Sequence, residues 1–183
     1  MSEEENISHI SGNASDDIKR MLARPGALFT RFPPNIRGPI FGQSIQDRLV
    51  TTEISVQKKE EEPKKLEGRI VLELTVEDDM VNGGGAVHGG CSAFLIDLCS
   101  SLALMVLNLT NSGEILPSVS QSLNIVYHSP ANLGDRIRIV NTTMTLGARA
   151  HSARTEIWNV THHRLVSSGV HIKMQPSHPK ANL

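Results

Sequence analysis

VNGGGAVHGGCSAFLIDLCSSLALMVL, residues 81–107, is the stretch whose reading decides the fold. It starts as a glycine-rich loop and runs on as an apolar helix that carries one carboxylate, Asp97. Between residues 80 and 113 no other Asp, Glu, Lys or Arg occurs. An unpaired buried charge is costly. Asp97 is therefore either a structural carboxylate satisfied by serine hydroxyls and backbone, or the group that the stretch exists to present. A lone helix this apolar needs a sheet wrapped around it, so the expected class is α+β with an antiparallel sheet.

The flanks supply that sheet. Upstream, residues 49–57 read as a first strand and residues 58–65 as a charged turn. A second strand follows, with Ile70, Leu72, Leu74 and Val76 on one face and Arg69, Glu73 and Thr75 on the other. Downstream, residues 108–117 read as a loop. Residues 118–127 alternate, with Val119, Leu123, Ile125 and Tyr127 on one side and a row of small polar groups, Ser118, Ser120, Ser122 and Asn124, on the other. Strands at 136–146, 150–161 and 165–174 complete the set, with turns at 132–134, Gly147 and His162-His163. Before all this, residues 1–15 read as polar and frayed, residues 16–23 as a short helix, and the proline-punctuated segment 25–39 as an arm. Residues 41–46 lead into the first strand. The expected organisation is an N-terminal extension at 1–46, one domain at 47–175 and a flexible tail at 176–183.

Composition narrows the function. A formal charge of −1 over 183 residues gives no bulk field for nucleic acid or an anionic membrane. The apolar run at 91–107 is interrupted by Asp97 and by serines at 92, 100 and 101 and does not read as a membrane span. Cys91 and Cys99 on one helix sit about 12 Å apart along its axis, too far for a disulfide, and read as reduced thiols. The N-terminus shows neither a signal-peptide core nor transit-peptide character. A cytoplasmic location is expected, with mitochondrial or peroxisomal ones as alternatives. His151, His162, His163 and His171 match no metal-ligand spacing, and no G-x-S-x-G elbow occurs. Neither metal nor cofactor is expected.

The glycines fit no dinucleotide or phosphate-loop register. What remains is backbone amide at a helix start, where orphan N–H groups and the helix dipole favour an oxygen gaining negative charge; the alternative is a loop that simply lets the helix pack. Gly90, Ala93, Asp97, Ser100 and Ser101 share one small, partly polar stripe. Asp97 lies about 12 Å along the axis from Gly89, so a carbonyl held at Gly89 is beyond the reach of Asp97 on the same helix. Either a second copy of the chain supplies the acid, or Asp97 is structural.

Asn82, the triplet His88-Gly89-Gly90, Asp97 and the run Asn124-Ile-Val-Tyr127-x-Ser129-Pro130-Ala131 together resemble the hotdog-fold acyl-CoA thioesterases. The likeness is to the phenylacetate-degradation (PaaI) and thioesterase superfamily member 2 type, over roughly residues 49–174. The resemblance implies a hotdog fold, with an antiparallel sheet wrapped round one long helix, assembled into homodimers and often homotetramers. The implied activity is hydrolysis of a fatty or aryl acyl-CoA to free acid and coenzyme A at composite dimer-interface sites. By position, Asn82 and the Gly89 amide polarise the thioester carbonyl, Asp97 of the facing subunit activates water or attacks, and Ser120 positions that water. His88, Gly90, Ser122, Tyr127, Gly147, Ala148, Arg149, Ala150 and Met174 fall along the substrate and its coenzyme A chain. Arg149 is the expected phosphate contact, and His88 reads chiefly as a tether for the loop. A non-catalytic acyl-CoA-binding protein and a hotdog hydratase or dehydratase are the rival readings.

Overall fold

The computed structural model describes residues 6–30 and 38–176; residues 31–37 of the arm expected at 25–39 and nearly all of the 176–183 tail lie outside them. Helices α1 (Asp16–Leu22), α2 (Pro25–Thr30) and α3 (Gln43–Arg48) precede strands β1 (Val50–Lys58) and β2 (Leu66–Thr75). After a 3-10 turn at Asp78–Met80 comes α4 (Gly89–Ser112), then β3 (Val119–Tyr127), β4 (Arg136–Leu146), β5 (Ala150–Asn159) and β6 (Arg164–Met174). The six strands form one sheet in the order β1-β2-β4-β5-β6-β3, with every adjacent pair antiparallel. This is the expected sheet around one central helix.

Helix α4 forms because nothing in it breaks helix and its ends are well capped. His88 at the N-cap accepts from the Gly90 amide through its ring. Gly113, in the left-handed region at φ 73°, closes the other end by donating to the Leu109 carbonyl. The helix therefore runs through Ser112, past the point at 108 where the expected loop begins. Leu95, Ile96, Cys99, Leu102, Ala103 and Val106 are fully buried against the sheet, each large aliphatic contributing about 1.5–3 kcal/mol. Length and mean hydropathy alone would let α4 cross a membrane, yet more than half of it is buried inside the protein, as in the core helix of a soluble fold. Two glycines allow the close approach. A Cβ on Gly68 of β2 would meet the Ala103 carbonyl at 3.0 Å, and one on Gly169 of β6 would meet Ile96 at 3.1 Å.

The N-terminal region departs from the reading above. Residues 11–14 are tied to β1: Ser11 donates to Thr52 and accepts from Ile54, while Asn13 exchanges two hydrogen bonds with the Val56 backbone. This covers one edge of the sheet, which isolated polarity could not reveal. In α1, Ser15 caps the N-terminus by accepting from Ile18, and Asp16 and Asp17 sit in the first turn. Pro25 opens a helix where an arm was expected, because proline at the first helical position lacks only an N–H that would be unpaired anyway. Residues 43–48 are helical as well. Arg48 and Ser44 of α3 bind Asp79, pinning the turn that leads into the glycine loop; the Arg48 guanidinium holds the Asp79 carboxyl below its ordinary value.

Ile10, Leu22, Ala23 and Leu28 join the same buried cluster as the α4 residues, and Thr51 of β1 donates to the Leu22 carbonyl. Leu22→Ala is expected to cost about 2–5 kcal/mol of stability, as for other fully buried leucines. Urea denaturation would read it, and an unchanged midpoint would mean that the extension is peripheral to the fold.

Candidate active site

Strand β3 is pinned to α4 at two places. At its end, the Tyr127 hydroxyl donates to the Gly89 carbonyl at 3.1 Å; near its start, the Ser120 hydroxyl donates to Asp97 Oδ1 at 2.8 Å. These contacts mark two separate clusters in the protomer.

The first cluster surrounds the start of α4. Asn82 Oδ1 accepts from the Gly84 and Ala86 amides, and its backbone closes the loop through Ala86 and Gly85. With the side-chain oxygen thus occupied, the Nδ2 group has no acceptor among the described residues. His88 Nδ1 carries the lone pair that accepts from Gly90, so the ring tethers the loop. The Gly89 amide, the first of the helix, likewise has no acceptor among the described residues. A Cβ on Gly89 would touch the Tyr127 ring at 3.4 Å. Two orphan donors on one loop are the elements of an oxyanion site. Cys91 next door offers no thiolate, since burial, helped by Asp79, pushes its thiol up to about 11.

The second cluster surrounds Asp97, whose side chain is 46% exposed. Its backbone carbonyl accepts from Ser100 and Ser101. Its Oδ1 receives Ser120 and lies 3.2 Å from His171 Nε2, while Oδ2 has no partner among the described residues. His171 is fully buried, and its Nδ1 meets the Ser100 hydroxyl at 2.7 Å. Lys173, only 7% exposed, sends Nζ to within 3.4 Å of Ser120 Oγ. Cross-strand from Lys173 stands His151, also buried, with Nδ1 unpartnered. Burial lowers the pKa of His171, with Lys173 adding to that and Asp97 opposing it. Burial alone lowers His151, and burial lowers Lys173 against the pull of Asp97.

Ser120 does not belong to the polar row in which alternation puts it. The ladder between β3 and β6 pairs Ser120 with Lys173 and Ser122 with Ile172, leaving Gln121 as an extra residue. That bulge turns Ser120 to the helix side with Leu123 and Ile125, and leaves Ser122 and Asn124 facing outward. A second irregularity, between Ile157 and Trp158 on β5, leaves Val166 of β6 without a cross-strand partner. Beyond it Ser167, Gly169, His171 and Lys173 face α4, although Val170, Ile172 and Met174 have the apolar pattern of an inward face. Ile172 is 37% exposed. This is why His171 and Lys173 escape a reading by alternation; the one available signal was a strand ending in His and Lys next to a run of small residues.

The other expected positions divide between the clusters. His88, Gly90 and Tyr127 lie with Asn82 and Gly89. Gly147, Ala148, Arg149, Ala150 and Met174 gather at the end of the sheet occupied by Ser120: Met174 pairs with both Ala150 and Val119, and the Gln175 amide ties to the Arg149 carbonyl. Among the described residues no three His, Cys, Asp or Glu side chains converge as metal ligands.

The buried histidines make stability pH-dependent. Their folded pKa values lie below the ordinary 6.5, so the unfolded chain takes up protons first as pH falls, and the folded state loses stability below about pH 6.5. Thermal melts should decline between pH 7 and pH 5, and His151→Gln should flatten that decline. Equal slopes with and without His151 would remove it from the linkage.

Comparison with known proteins gives the family. Residues 84–166 match the Thioesterase superfamily. Mouse acyl-coenzyme A thioesterase 13 is 35% identical over 105 residues, covering 57% of this chain and 71% of that protein. The crystal structure of zebrafish thioesterase superfamily member 2 aligns with a TM-score of 0.60 at 27% identity, over 76% of this chain and 88% of the other. Thioesterase superfamily member 2 from mouse aligns at 0.53 with 32% identity, over 59% and 81%. With a relative matched at this identity over more than two thirds of its length, and the central helix within the matched region, the chain belongs to the thioesterase superfamily.

Proposed function

We propose that the protein is an acyl-CoA thioesterase that hydrolyses fatty or aryl acyl-CoA to the free acid and coenzyme A at sites shared by two copies of the chain. The observation that carries this reading is the state of Asp97: one carboxylate oxygen is held by Ser120, and the other is uncommitted on a half-exposed side chain. A carboxylate so oriented is a general base for water.

In the reaction, Asp97 Oδ2 takes a proton from water as the water oxygen bonds to the thioester carbon. The oxyanion that forms is held by the Gly89 N–H and the Asn82 Nδ2 group. Collapse breaks the C–S bond, and the proton on Asp97 passes to the departing coenzyme A thiolate, leaving the acid and a regenerated carboxylate. Ser122, Tyr127, His88 and Gly90 line the path of the substrate. The turn 147–150 and Met174 run beside the coenzyme A chain, with the Arg149 guanidinium against a phosphate.

The two clusters sit at opposite ends of β3, and a second protomer unites them. β3 is an edge strand with no proline or charged residue, and it exposes Val119 and Tyr127 by 53% and 57%. The opposite edge of the sheet is already covered by residues 11–14. Antiparallel pairing of two β3 strands about a two-fold axis at Asn124, with the Gln121 bulge counted, would set Ser120 of one copy opposite Tyr127 of the other, and so bring Asp97 to the partner's oxyanion donors.

Thiol release from acyl-CoA substrates of graded chain length tests the activity, and no release from any of them would end the reading. Asp97→Ala is expected to lower kcat by about 10²–10⁴, and unchanged turnover would remove Asp97 from the mechanism. Shared sites have their own test. Asp97→Ala and Asn82→Ala chains, each nearly inactive alone, should recover about a quarter of wild-type activity when refolded together, since half the dimers are hybrids with one intact site of two. No recovery would mean that each site is built from a single chain.

A further inference from the structure

We propose that His171 and Lys173, two β6 side chains behind Asp97, are positioning residues of the hydrolytic centre: His171 holds the carboxylate by Oδ1, and Lys173 supplies the buried positive charge that faces it through Ser120 and keeps that hydroxyl aimed at it. This assignment rests on the reading of Asp97 as the base for water.

The polar atoms form a continuous line. Lys173 Nζ donates to Ser120 Oγ at 3.4 Å, and Ser120 donates to Asp97 Oδ1 at 2.8 Å. Ser120 has one proton, and the approach of a cation on its acceptor side leaves that proton for Asp97. On the other side, Ser100 Oγ meets His171 Nδ1 at 2.7 Å, and Nε2 stands 3.2 Å from the same Oδ1, though off the line of a good hydrogen bond. A small movement of the half-exposed carboxylate toward His171 makes that bond, with Ser100 turning its one proton from the Asp97 carbonyl, which keeps Ser101, to the nearer Nδ1, and the Nε2 proton directed at Asp97. Both groups therefore act on Oδ1, which leaves Oδ2 as the oxygen for water.

The fold brings these groups together at some cost. A lysine 7% exposed and a histidine wholly buried are unfavourable on the inner face of a sheet. The alternative, Ile172 inward, would follow the apolar pattern of the strand. The ionisable groups around Asp97 are His171 and Lys173 from β6 and, beyond Lys173, His151 from β5; β3 contributes only the Ser120 hydroxyl, and α4 no second charge. With both imidazoles held neutral by burial, Lys173 is the one cation that can balance Asp97 among the described residues of this cluster.

Four variants separate positioning from packing. Lys173→Met removes the charge and keeps the chain length, whereas Lys173→Arg restores the charge. In His171→Gln the amide nitrogen stands near Nε2 and keeps the Asp97 contact; in His171→Asn it stands near Nδ1 and keeps only Ser100. For Lys173→Met the acid limb of kcat/KM should move up by about one pH unit, as expected for loss of a neighbouring opposite charge, with Lys173→Arg restoring it. kcat should fall about tenfold to a hundredfold in Lys173→Met and His171→Asn, with KM little changed, while His171→Gln stays much closer to wild type.

The 13C titration of the Asp97 carboxyl by NMR reads the same coupling without any turnover. If that titration is the same in folded wild type and Lys173→Met, the role of Lys173 is overturned. If His171→Gln and His171→Asn lose kcat equally, the role of His171 is overturned, because the imidazole is then merely filling space. If wild type hydrolyses no acyl-CoA yet Lys173→Met shifts the Asp97 titration, the electrostatic coupling stands and the thioesterase reading is what fails. Should Lys173→Met not fold, Lys173→Gln replaces it in both measurements.

Discussion

One carboxylate on an otherwise uncharged helix is the constraint around which this protein is arranged. Helix α4 must be apolar enough to fill the sheet, and it must also present Asp97. The structure reconciles the two by rotation about the helix axis: Leu95, Ile96, Cys99 and Leu102 go to the core, while Asp97 emerges beside the edge strand β3. Ser100 and Ser101 bond its backbone carbonyl, and Ser120 bonds one side-chain oxygen. A carboxylate on an apolar helix is tolerable when water still reaches it and a hydroxyl meets one of its oxygens; with the side chain 46% exposed and Ser120 on Oδ1, both conditions hold here.

The edges of the sheet are treated unequally, and that inequality bears on assembly. Residues 11–14 lie along β1 and take up its outward amides and carbonyls, while the hydrophobic residues that follow enter the common core. The N-terminal region is thus part of the folded body as well as a cover for an edge. β3, by contrast, ends the sheet with no strand on its outer edge among the described residues and with three large apolar side chains, Val119, Val126 and Tyr127, exposed. An unprotected strand of this kind is ordinarily hidden by a partner, and β3 is also the strand to which both halves of the candidate site are attached.

Much of this was legible in residue order. Val81 to Leu107 reads as loop and central helix because glycines end where sustained apolarity begins, and β2 reads correctly because Ile70, Leu72 and Leu74 keep period two without interruption. Asp97 stood out by being alone. The failures have particular causes. Pro25 looked like a breaker, since the same residue serves as one inside a helix and as a starter at its first position. Residues 43–48 are short and weakly patterned, and their helix is held by Arg48 and Ser44 on Asp79, some thirty residues away in sequence and so invisible to a local window.

Local periodicity by itself determined the class of fold, the helix, the strands and the isolated acid, because each depends on the chemistry of neighbours along the chain. The facing of β3 and β6 was decided only in three dimensions. An extra residue at Gln121 and another at Val166 reverse which side chains look inward, and whether a strand bulges depends on the register of the strand beside it. Through those two bulges Ser120, His171 and Lys173 meet Asp97; without them, the same residues would point to the opposite face of the sheet.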